Sequence, residues 1–327
     1  MIAQELQPVL EVRGLTKHFN VGSAFSRRVV KALQDASFKL YPGKVTALVG
    51  ESGSGKSTAA RLIARLYEPT SGEILYEGGN ALAARSRGEM LRYRSQVQMI
   101  FQDPFSSLNP VHRVDYHLKR PLLLHHKARG HEINERVLEL LRRVALTPAE
   151  EYAGKYPHQL SGGQRQRVAI ARALAVEPKV ILADEPVSML DVSIRMGILN
   201  LMVKLRDEQK LAFLYVTHDL ASARYFADET MVMYAGRIVE SGSSQEIIAN
   251  PQHPYTQLLL SAVPDPARGL RTQEVSIKGE VPNLARVGEG CPFAARCPHV
   301  MARCKQAMPP ITRLSDQRTV RCYLFDK

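Results

Sequence analysis

The chain has 327 residues, 45% of them hydrophobic, which is enough for two or three domains and a sizeable core. Forty-four Lys and Arg against 32 Asp and Glu leave a formal charge of +12, which suits nucleic acid, an anionic membrane surface or an anionic ligand without choosing among them. Residues 1–15 lack the basic start and apolar stretch of a signal peptide, and no apolar run approaches the ~18 residues of a membrane span, so a cytoplasmic chain is expected.

Residues 9–19 (VLEVRGLTKHF) alternate and predict a strand. Phe19 is either a platform for an adenine ring or an ordinary sheet-edge side chain. Residues 20–31 read as an exposed loop, Ala32–Leu40 as a second strand and Tyr41–Gly43 as a turn, so an antiparallel sheet is expected. Val45–Val49 is a buried-strand run. It leads into Gly50-Glu51-Ser52-Gly53-Ser54-Gly55-Lys56-Ser57-Thr58, which matches the phosphate-loop pattern G-x-x-x-x-G-K-[ST], and a helical pattern follows over 59–66. In such a loop the backbone N–H groups curl around a phosphate and the helix N-terminus adds partial positive charge. Lys56 is placed for the β- and γ-phosphates, and the Ser57 hydroxyl for Mg²⁺.

Residues 73–76 and 97–101 predict short strands, with a polar, basic stretch over 77–95 between them. Residues 113–177 are mostly helical by pattern. Within them, Leu160-Ser161-Gly162-Gly163-Gln164 is a second glycine-rich helix start with Ser161 as N-cap, able to bind phosphate. One nucleotide needs only one phosphate loop, so a second cradle implies a composite site. Val180–Asp184 is an apolar strand ending in the acids Asp184 and Glu185. At an open strand end these carboxylates can face a ligand, Asp184 to hold Mg²⁺ and Glu185 to polarise the attacking water. Helix 193–209, strand 212–217 ending at His218, helix 220–227 and strand 230–234 complete an alternation that implies a parallel sheet covered on both faces.

This order of motifs resembles the ATP-binding subunits of ABC transporters over about residues 9–245. The resemblance implies an α/β P-loop NTPase core with a parallel sheet, an antiparallel β subdomain and a helical subdomain at about 105–177. It also implies a head-to-tail dimer of two such ATPases, ATP lying between the phosphate loop of one subunit and Ser161–Gln164 of the other. By the same resemblance Gln102 contacts the γ-phosphate and metal, Asp191 is the D-loop acid, His218 faces the γ-phosphate and Phe19 stacks on adenine. The expected partners are two transmembrane permease subunits and, indirectly, an extracytoplasmic solute-binding protein, with the chain peripheral on the cytoplasmic membrane face.

The tail from 251 to 327, after a nucleotide-binding domain at 1–250, is expected to be a small irregular domain. Its Asn250-Pro-Gln-His253-Pro-Tyr255 and Cys291-Pro-Phe…Arg296-Cys297-Pro runs are similar to the C-terminal extension of oligopeptide and dipeptide importer ATPases, whose relatives also serve nickel and oligosaccharide importers. A nucleic-acid-associated ABC ATPase is the alternative, favoured by charge but not by the tail, and no nucleic-acid partner is expected. The four cysteines, Cys291, Cys297, Cys304 and Cys322, are spaced C-x5-C-x6-C-x17-C. That spacing lacks the C-x2-4-C pair usual for structural zinc and suits the separate corners of a [4Fe–4S] cubane, a cluster that some peptide-importer ATPases carry there. Zinc and free or oxidised thiols are the alternatives. Lying in a segment apart from the nucleotide motifs, the cysteines are not expected to act in hydrolysis.

Overall fold

Alternation of apolar and polar side chains builds the first sheet. In the computed structural model, which describes residues 7–22, 28–261, 284 and 288–326, strands β1 (Leu10–Val21) and β2 (Arg28–Leu40) pair antiparallel, with Leu10 opposite Leu40. The two strands therefore take up half of what reads as a loop over 20–31, namely 20–21 and 28–31; residues 23–27 lie outside the described ones. β4 (Ser71–Tyr76) and β5 (Gly79–Asn80) complete a four-stranded antiparallel sheet of order β2-β1-β4-β5. Its inward residues, among them Leu10, Leu15 and Leu33, share one core with Leu62 and Ile63 of α1 (Lys56–Ile63).

The second sheet is built from apolar runs rather than alternation, because helices cover both of its faces. β3 (Val45–Val49), β6 (Val97–Ile100), β7 (Val180–Asp184), β8 (Ala212–Thr217) and β9 (Glu229–Tyr234) run parallel in the order β9-β3-β8-β7-β6. Every residue of β3, β7 and β8 is buried. Between β6 and β7 the chain forms helices only: α3 (Pro104–Ser107), α4 (Val114–Leu124), α5 (Glu132–Arg143), α6 (Ala149–Gly154) and α7 (Gly162–Leu174), with a 3₁₀ turn before α7. Their apolar stripes, such as Val137, Leu140 and Leu141 of α5, pack into the core that also holds Ile181 and Phe213. A further helix, α2 (Arg87–Gln96), forms in the polar stretch that carried no helical expectation; Ser86 and Glu89 close a reciprocal capping box at its start.

Beyond β9 the sheet turns antiparallel. β10 (Arg237–Ser243) pairs with β9, β12 (Arg318–Val320) with β10, and β11 (Thr312–Ser315) with β12. The tail, irregular over much of its described length, thus adds two strands to the central sheet. It is also held by one buried carboxylate. Glu240 in β10, with no exposed surface, accepts N–H bonds from Gln252 and His253, each at 2.9 Å, and pairs with Arg318 at 2.9 Å. A buried ion pair whose carboxylate is also filled by two backbone N–H bonds fixes register, and stranding one partner by mutation typically costs about 3–5 kcal/mol. Above this node Tyr234, Tyr255 and Phe293 form an aromatic cluster, with Tyr234 and Tyr255 centroids 4.4 Å apart and Phe293 edge-on to Tyr234.

Candidate active site

In-register parallel pairing levels the carboxyl ends of four neighbouring strands. Val49 lies opposite Thr217, Val216 opposite Asp184, and Ala183 opposite Ile100. The residues that follow these strands, Gly50, His218, Glu185 and Gln102, emerge at one edge, where open α/β sheets bind their ligands. There they meet at a cavity of about 750 Å³ whose walls include Ser52, Gly53, Gly55, Lys56, Ser57, Thr58, Gln102, Glu185 and His218. That is room for a nucleotide-sized ligand.

The loop can take its path only with glycine at two points. A Cβ on Gly50 would lie 2.2 Å from the Met233 carbonyl oxygen, and one on Gly55, at φ +105°, 2.3 Å from that of Ala32. Gly55 is also the N-cap of α1, so the first helical N–H groups point into the cavity. Lys56 is 3% exposed, and its amine donates to the carbonyls of Gly50 at 2.7 Å and Glu51 at 2.8 Å. Burial pulls its pKa below the ordinary lysine value, against the opposing charges of Glu185, Asp184 and Glu51. A buried ammonium held by neutral oxygens is arranged to gain from an anion. The buried Ser54 hydroxyl lies 3.4 Å from the same amine.

Ser57 Oγ donates to Asp184 Oδ1 at 2.7 Å. Asp184 is 1% exposed, and burial raises its pKa, against the Ser57 hydrogen bond and the charge of Arg61. A hydroxyl beside a buried carboxylate at a phosphate loop is the hard-oxygen pair that Mg²⁺ takes, so the donor set fits that ion. Next to it, Glu185 sits at φ +46°, left-handed for a non-glycine residue, at a cost on the order of 1–2 kcal/mol. Its N–H is held by the Val216 carbonyl at 2.9 Å, and its Oε2 accepts from Gln102 Nε2 at 3.0 Å and lies 3.2 Å from His218 Nδ1. Two residues from two neighbouring strand ends thus converge on the carboxylate that follows a third.

Other expected site residues lie elsewhere. Ser161 caps α7, its hydroxyl accepting from the Gln164 N–H at 3.3 Å while the Gln164 side chain accepts from the Ser161 N–H at 2.9 Å. None of Ser161, Gly162, Gly163 and Gln164 lines the cavity of its own chain, nor does Asp191, the N-cap residue of α8 (Val192–Gln209), whose side chain makes no capping bond. Phe19, on β1, packs edge-on against Tyr67 at 5.5 Å with the Lys17 amine over its ring, away from the cavity walls.

The four cysteines come from separate stretches of the tail yet line one closed pocket, with about 10 Å³ of free space, together with His253, Phe293 and Tyr323. All four are unpaired. Burial pushes the Cys291 thiol up to about 11 and raises those of Cys297 and Cys322. Among the described residues no group of three or more His, Cys, Asp or Glu side chains could hold a metal ion as placed, so neither the [4Fe–4S] cluster nor zinc is supported by this geometry. The free space is about one water's worth, because the thiols and aromatic rings pack inward. The expected separation from the nucleotide motifs is corrected, however. Arg296, the neighbour of Cys297, forms a two-pronged ion pair with Glu51 in the phosphate loop, at 2.9 and 3.1 Å, and the Glu51 N–H donates to the Tyr255 hydroxyl at 2.9 Å. Sequence reasoning missed Glu51, Tyr255 and Arg296 as site residues; the only signal was the pairing of both runs with the extension.

Known proteins share this architecture and these stretches. The family model described as ABC transporter matches residues 33–188, and that described as oligopeptide/dipeptide transporter, C-terminal region, matches residues 239–304. The chain is 43% identical over 325 residues to the dipeptide transport ATP-binding protein DppF of Haemophilus influenzae, covering 99% of this chain and 98% of that one. It is 43% identical over 330 residues to the oligopeptide transport ATP-binding protein AppF of Bacillus subtilis, covering 99% of this chain and 100% of that one. Among solved structures it resembles the dimeric post-hydrolysis state of the ATP-binding cassette MJ0796 bound to ADP and Pi, with a TM-score of 0.63 at 32% identity, over 72% of this chain and 98% of that one. A similar likeness, TM-score 0.63 at 30% identity over 74% and 91%, holds for cbiO1 of Clostridium perfringens, part of the ABC transporter complex cbiONQ.

The buried Asp184 carboxylate gives a prediction of opposite sign for stability and activity. Its pKa is raised in the fold, so its ionisation opposes folding above that raised value, and the penalty is absent below the unperturbed 3.8. Asp184→Asn keeps the acceptor for Ser57 and should raise the melting temperature of ligand-free protein at neutral pH by about 1–2 °C, the effect of ~1 kcal/mol in a chain of this size. The gain should shrink as the pH is lowered, while Mg²⁺-dependent ATP hydrolysis falls by about 100-fold or more. A variant that melts lower than wild type at pH 7 would show that the carboxylate stabilises the empty fold.

Proposed function

The chain belongs to the ATP-binding subunits of ABC transporters, in their oligopeptide and dipeptide group, and on that premise we propose that it is the ATP-hydrolysing motor of a peptide importer. The observation that carries this reading is the near full-length match to peptide-transport ATP-binding proteins, tail included. Within the chain we read 1–250 as the nucleotide-binding unit, its helical part at about 105–177, and 251–327 as the transporter-type extension. No described helix is long and apolar enough to cross a membrane, and we assign the chain to the cytoplasmic face through two permease subunits that a solute-binding protein supplies.

ATP is the substrate. The phosphate-loop N–H groups and Lys56 bind its phosphates, Lys56 exchanging backbone carbonyls for anionic oxygens. Ser57 and Asp184, with Gln102, would hold Mg²⁺, which would supply charge neutralisation at the phosphates. Glu185 takes up the proton of the attacking water, and Gln102 and His218 hold its carboxylate in one orientation. The missing wall of the site is the Ser161–Gln164 turn of a second ATPase, identical or homologous, with Asp191 beside it. Support for this comes from a capped, anion-ready helix start that the chain does not turn toward its own cavity, and from the dimeric state of the MJ0796 cassette. The assignment of Phe19 to adenine rests on the resemblance alone.

For the cysteines we keep the [4Fe–4S] reading as a proposal. It is supported by the gathering of all four thiols around one pocket, not by the present positions of the sulfurs.

Three measurements check these assignments. Reconstituted with its permease subunits in vesicles, the chain should drive dipeptide or oligopeptide uptake that Lys56→Ala abolishes; uptake of nickel or an oligosaccharide instead would replace the cargo. Mixing Lys56→Ala and Ser161→Ala chains, each inactive alone, should restore about a quarter of wild-type hydrolysis, since half the dimers carry one intact site of two. No recovery on mixing would refute a site shared in trans. Protein purified without oxygen should be brown, with iron and acid-labile sulfide at about four each per chain; colourless protein, or one zinc per chain, would end the cluster proposal.

A further inference from the structure

We infer that Arg296 is a positioning residue of the nucleotide site, acting through Glu51, so that the Cys291–Cys297 turn is a working part of the phosphate loop. The inference rests on the nucleotide reading above and adds to it a residue outside the ATPase motifs.

Glu51 is a node with four contacts. Its carbonyl accepts from Lys56 Nζ at 2.8 Å and from the Ser54 N–H at 3.2 Å. Its N–H donates to the Tyr255 hydroxyl at 2.9 Å, and its carboxylate takes both prongs of Arg296. The first two contacts set the curve of the loop and the place of the phosphate-binding amine. The other two come from the tail. Both tail groups are themselves fixed. Tyr255 follows His253, whose Nδ1 accepts the Tyr255 N–H at 3.0 Å and whose own N–H is held by the buried Glu240. Arg296 lies in a tight turn closed by bonds from the Ala294 N–H to the Cys291 carbonyl and from the Arg296 N–H to the Phe293 carbonyl. The Cys291 N–H ties that turn to the Cys304 carbonyl at 2.7 Å. The guanidinium also donates to the Tyr234 hydroxyl at 3.3 Å, and its side chain is only 10% exposed.

Charge makes the pair more than a strut. Glu51 lines the cavity where a triphosphate would sit, and an unpaired carboxylate there repels it. Arg296 cancels that charge with a planar fork that lysine cannot reproduce. Two effects then run together in one residue: the loop keeps its shape, and the field at the phosphates stays positive.

The experiment is titration of ATP binding without Mg²⁺, with steady-state hydrolysis alongside, for Arg296→Ala, Arg296→Lys, Glu51→Gln, the double variant and Lys56→Ala. Arg296→Ala should weaken ATP binding about tenfold and raise KM similarly, with kcat within about threefold of wild type. Arg296→Lys should recover part of the loss. Whatever affinity Glu51→Gln itself shows, the double variant should bind ATP within about threefold of Glu51→Gln, because the offending charge has gone. A loss from Arg296→Ala that persists undiminished in the Glu51→Gln background would mean that Arg296 meets the phosphates directly, and would overturn the inference. So would ATP affinity within twofold of wild type for Arg296→Ala. If that variant fails to fold, Arg296→Lys and the double variant decide the matter by the same criteria. Lys56→Ala separates the two levels: equal ATP binding by it and wild type would defeat the nucleotide reading itself, whereas its loss beside normal binding by Arg296→Ala would defeat only the clamp.

Discussion

Parallel hydrogen bonding without register slip between β3, β8, β7 and β6 brings four chain reversals to one edge of the sheet. Because β3, β7 and β8 are buried on both faces, none of the three can shift by a residue without turning a polar end group into the core. The level edge is therefore set by the hydrophobic core, and the chemistry inherits its precision from packing. Glu185 shows this well: its backbone is strained, yet the Val216 carbonyl, one strand over, holds its N–H in place.

The same edge collects groups that the fold alone would not favour. A lysine and an aspartate are both nearly out of water, each with its charged form disfavoured by burial, and each partly compensated by the other's charge. Their hydrogen bonds go to backbone carbonyls and to a serine hydroxyl, neutral partners weaker than the ionic ones a nucleotide and a metal would offer. Binding thus supplies what folding left incomplete. Differential affinity of this kind is also what a motor needs, because a ligand can shift a conformational equilibrium only by interacting unequally with its states.

How much of this was legible depended on range. The phosphate loop, the Asp184–Glu185 strand end and the capped Ser161 turn are local patterns, and each lies where its neighbours in sequence placed it. Helix α2 was not legible from periodicity because its only large apolar side chains, Met90, Leu91 and Tyr93, are too few to trace a repeat, although Ser86 and Glu89 carry the signal of a capping box. The two short strands of the tail gave too few residues to show alternation. Glu51 illustrates the hard limit. Its partners Tyr255 and Arg296 are 204 and 245 residues away, and a contact of that separation leaves no trace in a single sequence.

Glu240 explains why the tail cannot be an appendage. A carboxylate with no exposed surface is tolerable only while its oxygens are filled, and the Gln252 and His253 N–H groups and the Arg318 guanidinium that fill them all belong to the extension. The carboxylate itself belongs to β10, which pairs with β9, which pairs with the phosphate-loop strand β3. Detaching the extension would remove every partner of this carboxylate, two strands from the nucleotide site. The Arg296 and Tyr255 contacts then act at the cavity on a loop whose supporting strands the extension already helps to hold. The fold joins in one cooperative unit what the sequence sets more than two hundred residues apart.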